Sequence, residues 1–481
     1  MSIEQSIGLP QREAFFHLIQ DRLERPLPQF VRFQAWAPIS GAWSYLNTEL
    51  ANDPWTMAWS SADESQNFLA IGAQKASNFV GPSRFSDAEA FCSQTREQIG
   101  DLYGEEGHYN PMFVGGFAFS DAAPGGPWSS WPAGLLWVPR LLLVDRPQGT
   151  EVIGCVAIDP ALTPQKNWER VLSALGEIYQ SQPCNVARPL DPERIDTNSP
   201  HEEKAHFLRT ANQAITQIED GPWDKVVLSR VHRFEARTGT AFDAVATLKK
   251  LRRDQPDCTT FLVRGSTESA FLGATPEPLI RTTGNLVRTC ALAGSQPRGT
   301  DTARDTEFAR SLRESVKEQH EHELVLATIK ENLAPFTAAI SHSEQPTVHQ
   351  LRDVQHLQTV LSAQLHQPTH ICHLIDALHP TPAIAGLPRD EVLPWLAEHE
   401  ANDRGWYAGT VGWLDGSGNG HFVVSIRSAL VGEEQVTAYA GSGLVSGSQA
   451  ESEWQETTTK LQSIATALVI GPTTQPPQVQ P

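Results

Sequence analysis

Tyr439-Ala440-Gly441-Ser442-Gly443-Leu444-Val445-Ser446-Gly447, continuing through Glu451-Ser452-Glu453-Trp454-Gln455-Glu456-Thr457, reads as a strand, a glycine turn and the entry to a helix. Alanine and glycine leave no side chain between the backbone and an approaching ligand. Glu453 and Glu456 stand three apart, so a helix puts both carboxylates on one face. The first turn of a helix favours acids in any case, through its exposed N–H groups and dipole. Two readings follow: a capped helix, or half of a cation site completed by a second acidic helix.

Outward from this stretch the chain reads mostly as strands. Residues 405–413, 421–429 and 435–440 precede it, with Asp415-Gly416-Ser417-Gly418-Asn419-Gly420 as a plain hairpin loop. Farther upstream, 225–234, 260–264, 270–274 and 354–365 are strand-like, and 279–292 forms a hairpin turning at Thr283-Gly284-Asn285. Helices are expected over 302–313, 315–333, 369–378 and 391–399, the last despite Pro394. Strands that come in hairpins and outnumber the helices predict an α+β fold. Two antiparallel β-sheets would pack together, flanked by helices, in place of a doubly wound parallel sheet. The Gly441-x-Gly443-x-x-x-Gly447 pattern has neither the spacing nor the βαβ context of a dinucleotide site.

In the first part, 11–23 can form an amphipathic helix, and 67–72, 112–119, 138–144 and 151–158 read as strands. The Gly115-Gly116 pair predicts a strand packed close to another backbone. Residues 181–199 are rich in proline and polar groups, as a surface connection is. A helix follows, with Ser199 as N-cap, Pro200 as first helical residue and Glu202 as capping-box acid, running to about Glu219. The expected division is an N-terminal part of the fold, 1–198, a catalytic region, 199–468, and a disordered tail, 469–481.

Lys+Arg 37 against Asp+Glu 56 leaves a net charge of −19, which argues against a nucleic acid or an anionic membrane as partner. A small anion remains compatible where local cations or a metal offset the field. No apolar run approaches the roughly 20 residues of a membrane span, and the N-terminus has no secretory pattern. The six scattered cysteines lack any C-x-x-C pair, which fits reduced thiols in a cytoplasmic protein.

The second acidic helix is present. Glu318 and Glu321 stand three apart in Glu314–Val325, with His322 and Val325 on the adjoining face. It is either a solvated face or the other half of a site for a hard cation, and Mg²⁺ suits such carboxylates. Lys225 opens an apolar strand. It either snorkels to solvent or, if enclosed, has its pKa lowered from about 10.4 by desolvation and can act as a base. Glu277, between Pro276 and Pro278 at a strand end, is a surface turn residue or, if buried, a general acid with a raised pKa. Alternation along 423–429 puts Arg427 on one face with Ser425 and Val423. There it pairs with a local glutamate or holds a carboxylate bidentately. Ala293-Gly294-Ser295 ends a strand and offers N–H groups to a carboxylate.

Eight segments together resemble the chorismate-utilising enzymes: 224–230 (DKVVLSR), 271–279 (FLGATPEPL), 292–299 (LAGSQPRG), 321–325 (EHELV), 379–388 (HPTPAIAGLP), 404–413 (RGWYAGTVGW), 423–429 (VVSIRSA) and 439–457. They occur in the family's order across about 200–465, and the N-terminal half matches more loosely through GGFAF. The resemblance implies the anthranilate synthase component I-like fold. It implies Glu321 and Glu456 as ligands of Mg²⁺, with Glu318 and Glu453 as outer or water-linked partners. It further implies Lys225 as the base that activates water and Glu277 as the acid that protonates the departing hydroxyl. Arg427 and Tyr407 would hold the pyruvyl carboxylate, and Gly294, Ser295, His356, Gly441, Ser442 and Gly443 would contact substrate.

Amine-adding branches of the family resemble each other in carrying glutamine where Lys225 stands, so lysine implies addition of water. The 379–388 segment resembles the isochorismate-forming branch. The implied reaction is chorismate to isochorismate, in a monomer or homodimer without a glutaminase subunit, serving menaquinone or siderophore biosynthesis. The alternatives are salicylate formation with pyruvate elimination, and a non-catalytic metal-binding scaffold. AGSG replaces the commoner AGAG, and Gln296 stands where arginine is frequent.

Overall fold

The computed structural model describes residues 9–20, 28–102, 111–181, 190, 195–197, 201–265 and 269–472. One antiparallel sheet runs, strand beside strand, through Phe30–Trp36, Gly149–Ala157, Gly134–Arg146, Asn67–Phe79, Trp55–Ser60, Thr259–Gly265, Ala270–Thr275, Ser428–Val431, Gln435–Leu444 and Lys225–Ala236. Among the described residues its one parallel pair is the short edge strand Ile99–Asp101 against Phe30–Trp36. The second sheet runs through Phe113–Phe117, Thr410–Leu414, Gly420–Val424, Pro278–Thr283, Leu286–Pro297 and Val354–Leu365.

The two sheets are not separate hydrogen-bond networks. Asn67–Phe79 and Gly134–Arg146 belong to both, and their shared ladder slips register between Ala73 and Lys75, beside Gly72 at φ +68°. A bulge of this kind adds twist and lets a strand turn from one layer into the next. Both stretches of the expected division supply strands to both sheets, so 1–198 and 199–468 build one body. At the second-sheet junction a Cβ on Gly115 would collide with the Leu135 carbonyl, and one on Gly116 with the Thr410 carbonyl. The paired glycines are there for close backbone approach, as their sequence suggests.

Helices cover the outer faces. Val316–Leu333 starts at Ser315, whose hydroxyl accepts from the Glu318 N–H, and it packs on Leu286–Pro297. Ala450–Ala467 packs on Gln435–Leu444, the strand it follows. Its N-cap Gln449 makes no side-chain cap, and Glu453 points elsewhere, so the acids of this helix are not serving as caps. Helices absent from the sequence reading are Arg84–Glu97, Pro164–Gln180 and Ala244–Asp254.

The expected strand 421–429 is two strands, one in each sheet, broken at Ser425–Arg427. Arg427 has φ +50°, a left-handed conformation that costs a non-glycine residue about 1 kcal/mol. The inferred alternation of Val423, Ser425 and Arg427 on one face is therefore incorrect. The expected strand over 405–409 is likewise turns, and only Thr410–Leu414 is extended. The helix after the connection spans His201–Asp220, while Ser199 and Pro200 lie outside the described residues. Gly471 and Pro472, expected in the tail, pair in a short strand with Thr240–Phe242; 473–481 lie outside the described residues. Five cysteines are free and buried, and Cys184 lies outside the described residues.

Candidate active site

The chain crosses between the sheets at two adjacent places. Thr275 ends a first-sheet strand and Pro278 opens a second-sheet strand, with Glu277 in the crossing. Arg427 occupies the return crossing. The two are tied by the backbone bonds Val424 N–H to Glu277 O (3.0 Å) and Ala274 N–H to Arg427 O (3.2 Å). Between the sheets opens a cleft of about 670 Å³. Glu277, Arg427 and Tyr407 line it, with Gly294, Ser295 and His356 from the second sheet, Gly441 and Gly443 from the first, and Glu321, Glu456 and Lys460 from the helices.

Glu277 is 5% exposed, and burial pushes its carboxyl up to about 7, against the opposing pull of Lys225, Lys460 and Arg427. Near neutrality such a carboxyl is about half protonated. The surface-turn alternative is excluded by its burial. Arg427 is buried too, and among the described residues no carboxylate lies within 4 Å of its guanidinium. Its one hydrogen-bonded neighbour is His356 Nε2, 3.3 Å from Nη2. The His356 Nδ1 faces the Gly294 carbonyl at 3.2 Å and must donate to it, which leaves Nε2 as acceptor for Arg427. Burial and then the Arg427 charge hold the imidazole pKa well below its usual range, so His356 is a neutral ring that aims the guanidinium. Ser295 Oγ completes the mount, 3.0 Å from the same Nδ1.

Tyr407 stacks on Tyr439 with centroids 5.1 Å apart, and Tyr439 OH accepts from Trp128 Nε1 at 2.7 Å. A Cβ on Gly441 would sit 3.0 Å from the Tyr407 hydroxyl. Glycine there keeps the hydroxyl open to the cleft.

Lys225 does not snorkel: it is fully buried, its Nζ 2.8 Å from Glu321 Oε1. The contact is an ion pair that does not meet hydrogen-bond geometry. Burial pushes the Glu321 carboxyl up, but Lys225, with Lys460 and Lys317, together outweighs it and the pKa falls below the usual value. Glu318 lies behind this pair, accepting from the Ser295 N–H at 2.9 Å; burial first and the Glu321 charge second push it up to about 7. Glu453 accepts from Lys317 Nζ at 2.9 Å and from the Ser442 hydroxyl. Lys225, Glu318, Ser442 and Glu453 thus sit behind the cleft wall instead of on it. The Ser442 side chain is turned away from the space a substrate would fill.

The donor set, carboxylates alone on two facing helices, fits a hard divalent cation. Glu321 and, more weakly, Glu456 push the Glu318 carboxyl up, so Glu318 feels the charge of both acids. In this arrangement lysines neutralise them, Lys225 on Glu321, Lys317 on Glu453, and Lys460 on Glu456 at 2.6 Å. Among the described residues no three His, Cys, Asp or Glu side chains are gathered as a ready metal cage. Lys460 was missed in the sequence. It also donates to the Gly441 carbonyl at 2.9 Å, and its one-turn offset from Glu456 was the available signal.

Comparison with known proteins identifies the family. The family described as chorismate binding enzyme matches residues 30–469, including most of the loosely matched N-terminal part. The chain is 33% identical over 367 residues to the salicylate biosynthesis isochorismate synthase of Pseudomonas aeruginosa, covering 76% of this chain and 75% of that one. It is 28% identical over 417 residues to Bacillus subtilis isochorismate synthase MenF, covering 85% and 87%. Among solved structures, the menaquinone-specific isochorismate synthase MenF of Escherichia coli superposes with a TM-score of 0.73 at 26% identity, over 95% of this chain and 99% of that one. Anthranilate synthase component I of Streptococcus pneumoniae shares the fold, with a TM-score of 0.65 at 20% identity over 83% and 92%. The chain belongs to the chorismate-binding enzyme family.

Proposed function

We propose that this protein is an isochorismate synthase, interconverting chorismate and isochorismate with Mg²⁺. The observation that carries the reading is the pairing, across adjoining crossings, of a buried Glu277, its pKa raised by burial, with a buried Arg427 that has no carboxylate partner among the described residues. An acid poised for a leaving hydroxyl lies beside a cation that requires an anionic substrate.

Arg427, aimed by His356, and the Tyr407 hydroxyl take the pyruvyl carboxylate. Lys225, held behind the cleft wall as the charged partner of Glu321, must first lose its proton and reach the cleft; its neutral amine then receives a proton from water as the water oxygen bonds to ring C2. The two ring double bonds each move one position, and the C4–O bond breaks as Glu277 gives its proton to the departing hydroxyl. One water enters and one leaves, so the exchange is reversible and redox-neutral. Lys225 then returns a proton to Glu277 through solvent. Glu321 and Glu456 would hold Mg²⁺, with Glu318 and Glu453 behind them; the ion would offset charge between the substrate carboxylate and these acids. Lysine at 225, against glutamine in the amine-adding branches, supports water as nucleophile.

Chromatography of chorismate incubated with the protein and Mg²⁺ tests this directly. A mixture of chorismate and isochorismate is expected, and Lys225→Ala should produce none. Salicylate with stoichiometric pyruvate, or anthranilate when ammonium is added, would sink the assignment.

A further inference from the structure

A second cleft, of about 1640 Å³, shares none of its lining with the first. Its walls come from the start of Arg84–Glu97, the loop after Phe117, and Arg389–His399 with the turn that follows. At its floor is Arg84, 4% exposed, donating one hydrogen bond to the Ser120 carbonyl and lying 4.8 Å from the Phe85 ring centroid. Among the described residues no carboxylate lies within 4 Å of this guanidinium, and burial brings its pKa down to about 10. Arg389 sits at the exposed rim and repels Arg84, and it too makes no ion pair among the described residues. Asp121 and Asp376 attract Arg84 only at a distance, from the exposed side of the cleft.

A buried charge without a counter-ion in contact is costly, and a guanidinium has five donors to satisfy. Here one is met by a carbonyl. The remaining walls are mixed: Phe85 and Phe119 near the floor and Leu393 and Pro394 on the helix side are apolar, while Asp121, Asp376, Glu400 and Asp403 also line the cleft, Glu400 being taken up by Arg404. Arg404, the third arginine, already has four of its donors met by Glu400 and by the carbonyls of Ile384 and Val227.

We propose that this cleft is a second small-molecule site, one that takes a compact aromatic carboxylate with its carboxyl between Arg84 and Arg389 and its ring against Phe85 and Phe119. A planar carboxylate matches the fork of a guanidinium, and an apolar ring matches the apolar part of the walls. The proposal is independent of the reaction assigned to the first cleft.

Benzoate is the probe, titrated into the full-length protein by calorimetry, with benzyl alcohol as the uncharged control. Saturable binding of benzoate and none of benzyl alcohol is expected. Arg389→Ala, an exposed change, should weaken it about tenfold, as expected for one charge-assisted bond. Ala397→Trp, on the exposed side of the same wall, should block it by bulk alone. Binding should persist in Arg427→Gln. Absence of saturable binding, equal affinity in Arg389→Ala and Ala397→Trp, or loss in Arg427→Gln would each overturn the proposal, the last by placing benzoate in the catalytic cleft.

Discussion

Replacing Glu277 with glutamine should stabilise the protein at alkaline pH while destroying its turnover. The buried carboxyl titrates near 7 in the folded chain, against an ordinary value of 4.5. A raised pKa means that the folded state binds the proton more tightly than the unfolded state. Between about pH 4.5 and 7 the wild type therefore loses stability as pH rises, by about 1.4 kcal/mol over each pH interval of one, or roughly 3 kcal/mol once Glu277 is ionised. Glutamine keeps the shape and cannot ionise. Urea denaturation followed by circular dichroism should give similar stabilities for wild type and Glu277→Gln at pH 5. At pH 8.5 the variant should be ahead by roughly 3 kcal/mol. Turnover at pH 6 should fall by about 10²–10⁴ in the same variant, the usual contribution of a general acid. A stability difference that does not change with pH, or a wild type that is the more stable at pH 8.5, would refute a buried Glu277 with a raised pKa. An active variant would refute its role as acid.

Wild-type kcat/KM should decline as pH rises through about 7, because the acid form of Glu277 is needed, and Glu277→Asp should shift or erase that limb in a pH–rate profile. Arg427→Gln leaves the substrate carboxylate without its cation and should lower kcat/KM by about 10–100-fold, as loss of a charged hydrogen bond does, with His356 left in place. Gly443→Ala drives a methyl into Glu321 Oε1, which Lys225 holds, so steady-state assays should show lost activity and the thermal midpoint should fall as the buried pair is displaced. Chelation by EDTA should abolish turnover and added Mg²⁺ restore it; full activity in excess EDTA would remove the metal from the proposal.

Much of the strand order was legible because hairpins carry local signals: alternation, Gly284 in a turn, a proline ending a strand. The Arg84–Glu97 helix was not. Its inward positions 84, 85, 88, 92 and 95 have helical spacing, but they include an arginine and a threonine, so hydropathy conceals the period. Pro164–Gln180 did carry its own signal, with the Thr163 cap and apolar residues at 168, 171, 175 and 178. That helix needed no tertiary information to find.

By itself the sequence determined the family, the hairpin-built α+β fold and most of the residue types of the site, since ordered motifs and local periodicity are written in the chain. Which side each functional group faces was decided only in three dimensions. Arg427 looked like a mid-strand arginine and is a left-handed crossing between sheets, because the strand must leave one layer and join the other there. Lys225 could have reached solvent, but Glu321 on a helix about a hundred residues away encloses and pairs it. The opening stretch shows the same limit. Glu453 and Glu456 share a helix face, yet Glu456 borders the cleft and Glu453 is taken up by Lys317 and Ser442. Burial and charge partners come from segments distant in sequence, and those set whether an acid caps, pairs or reacts.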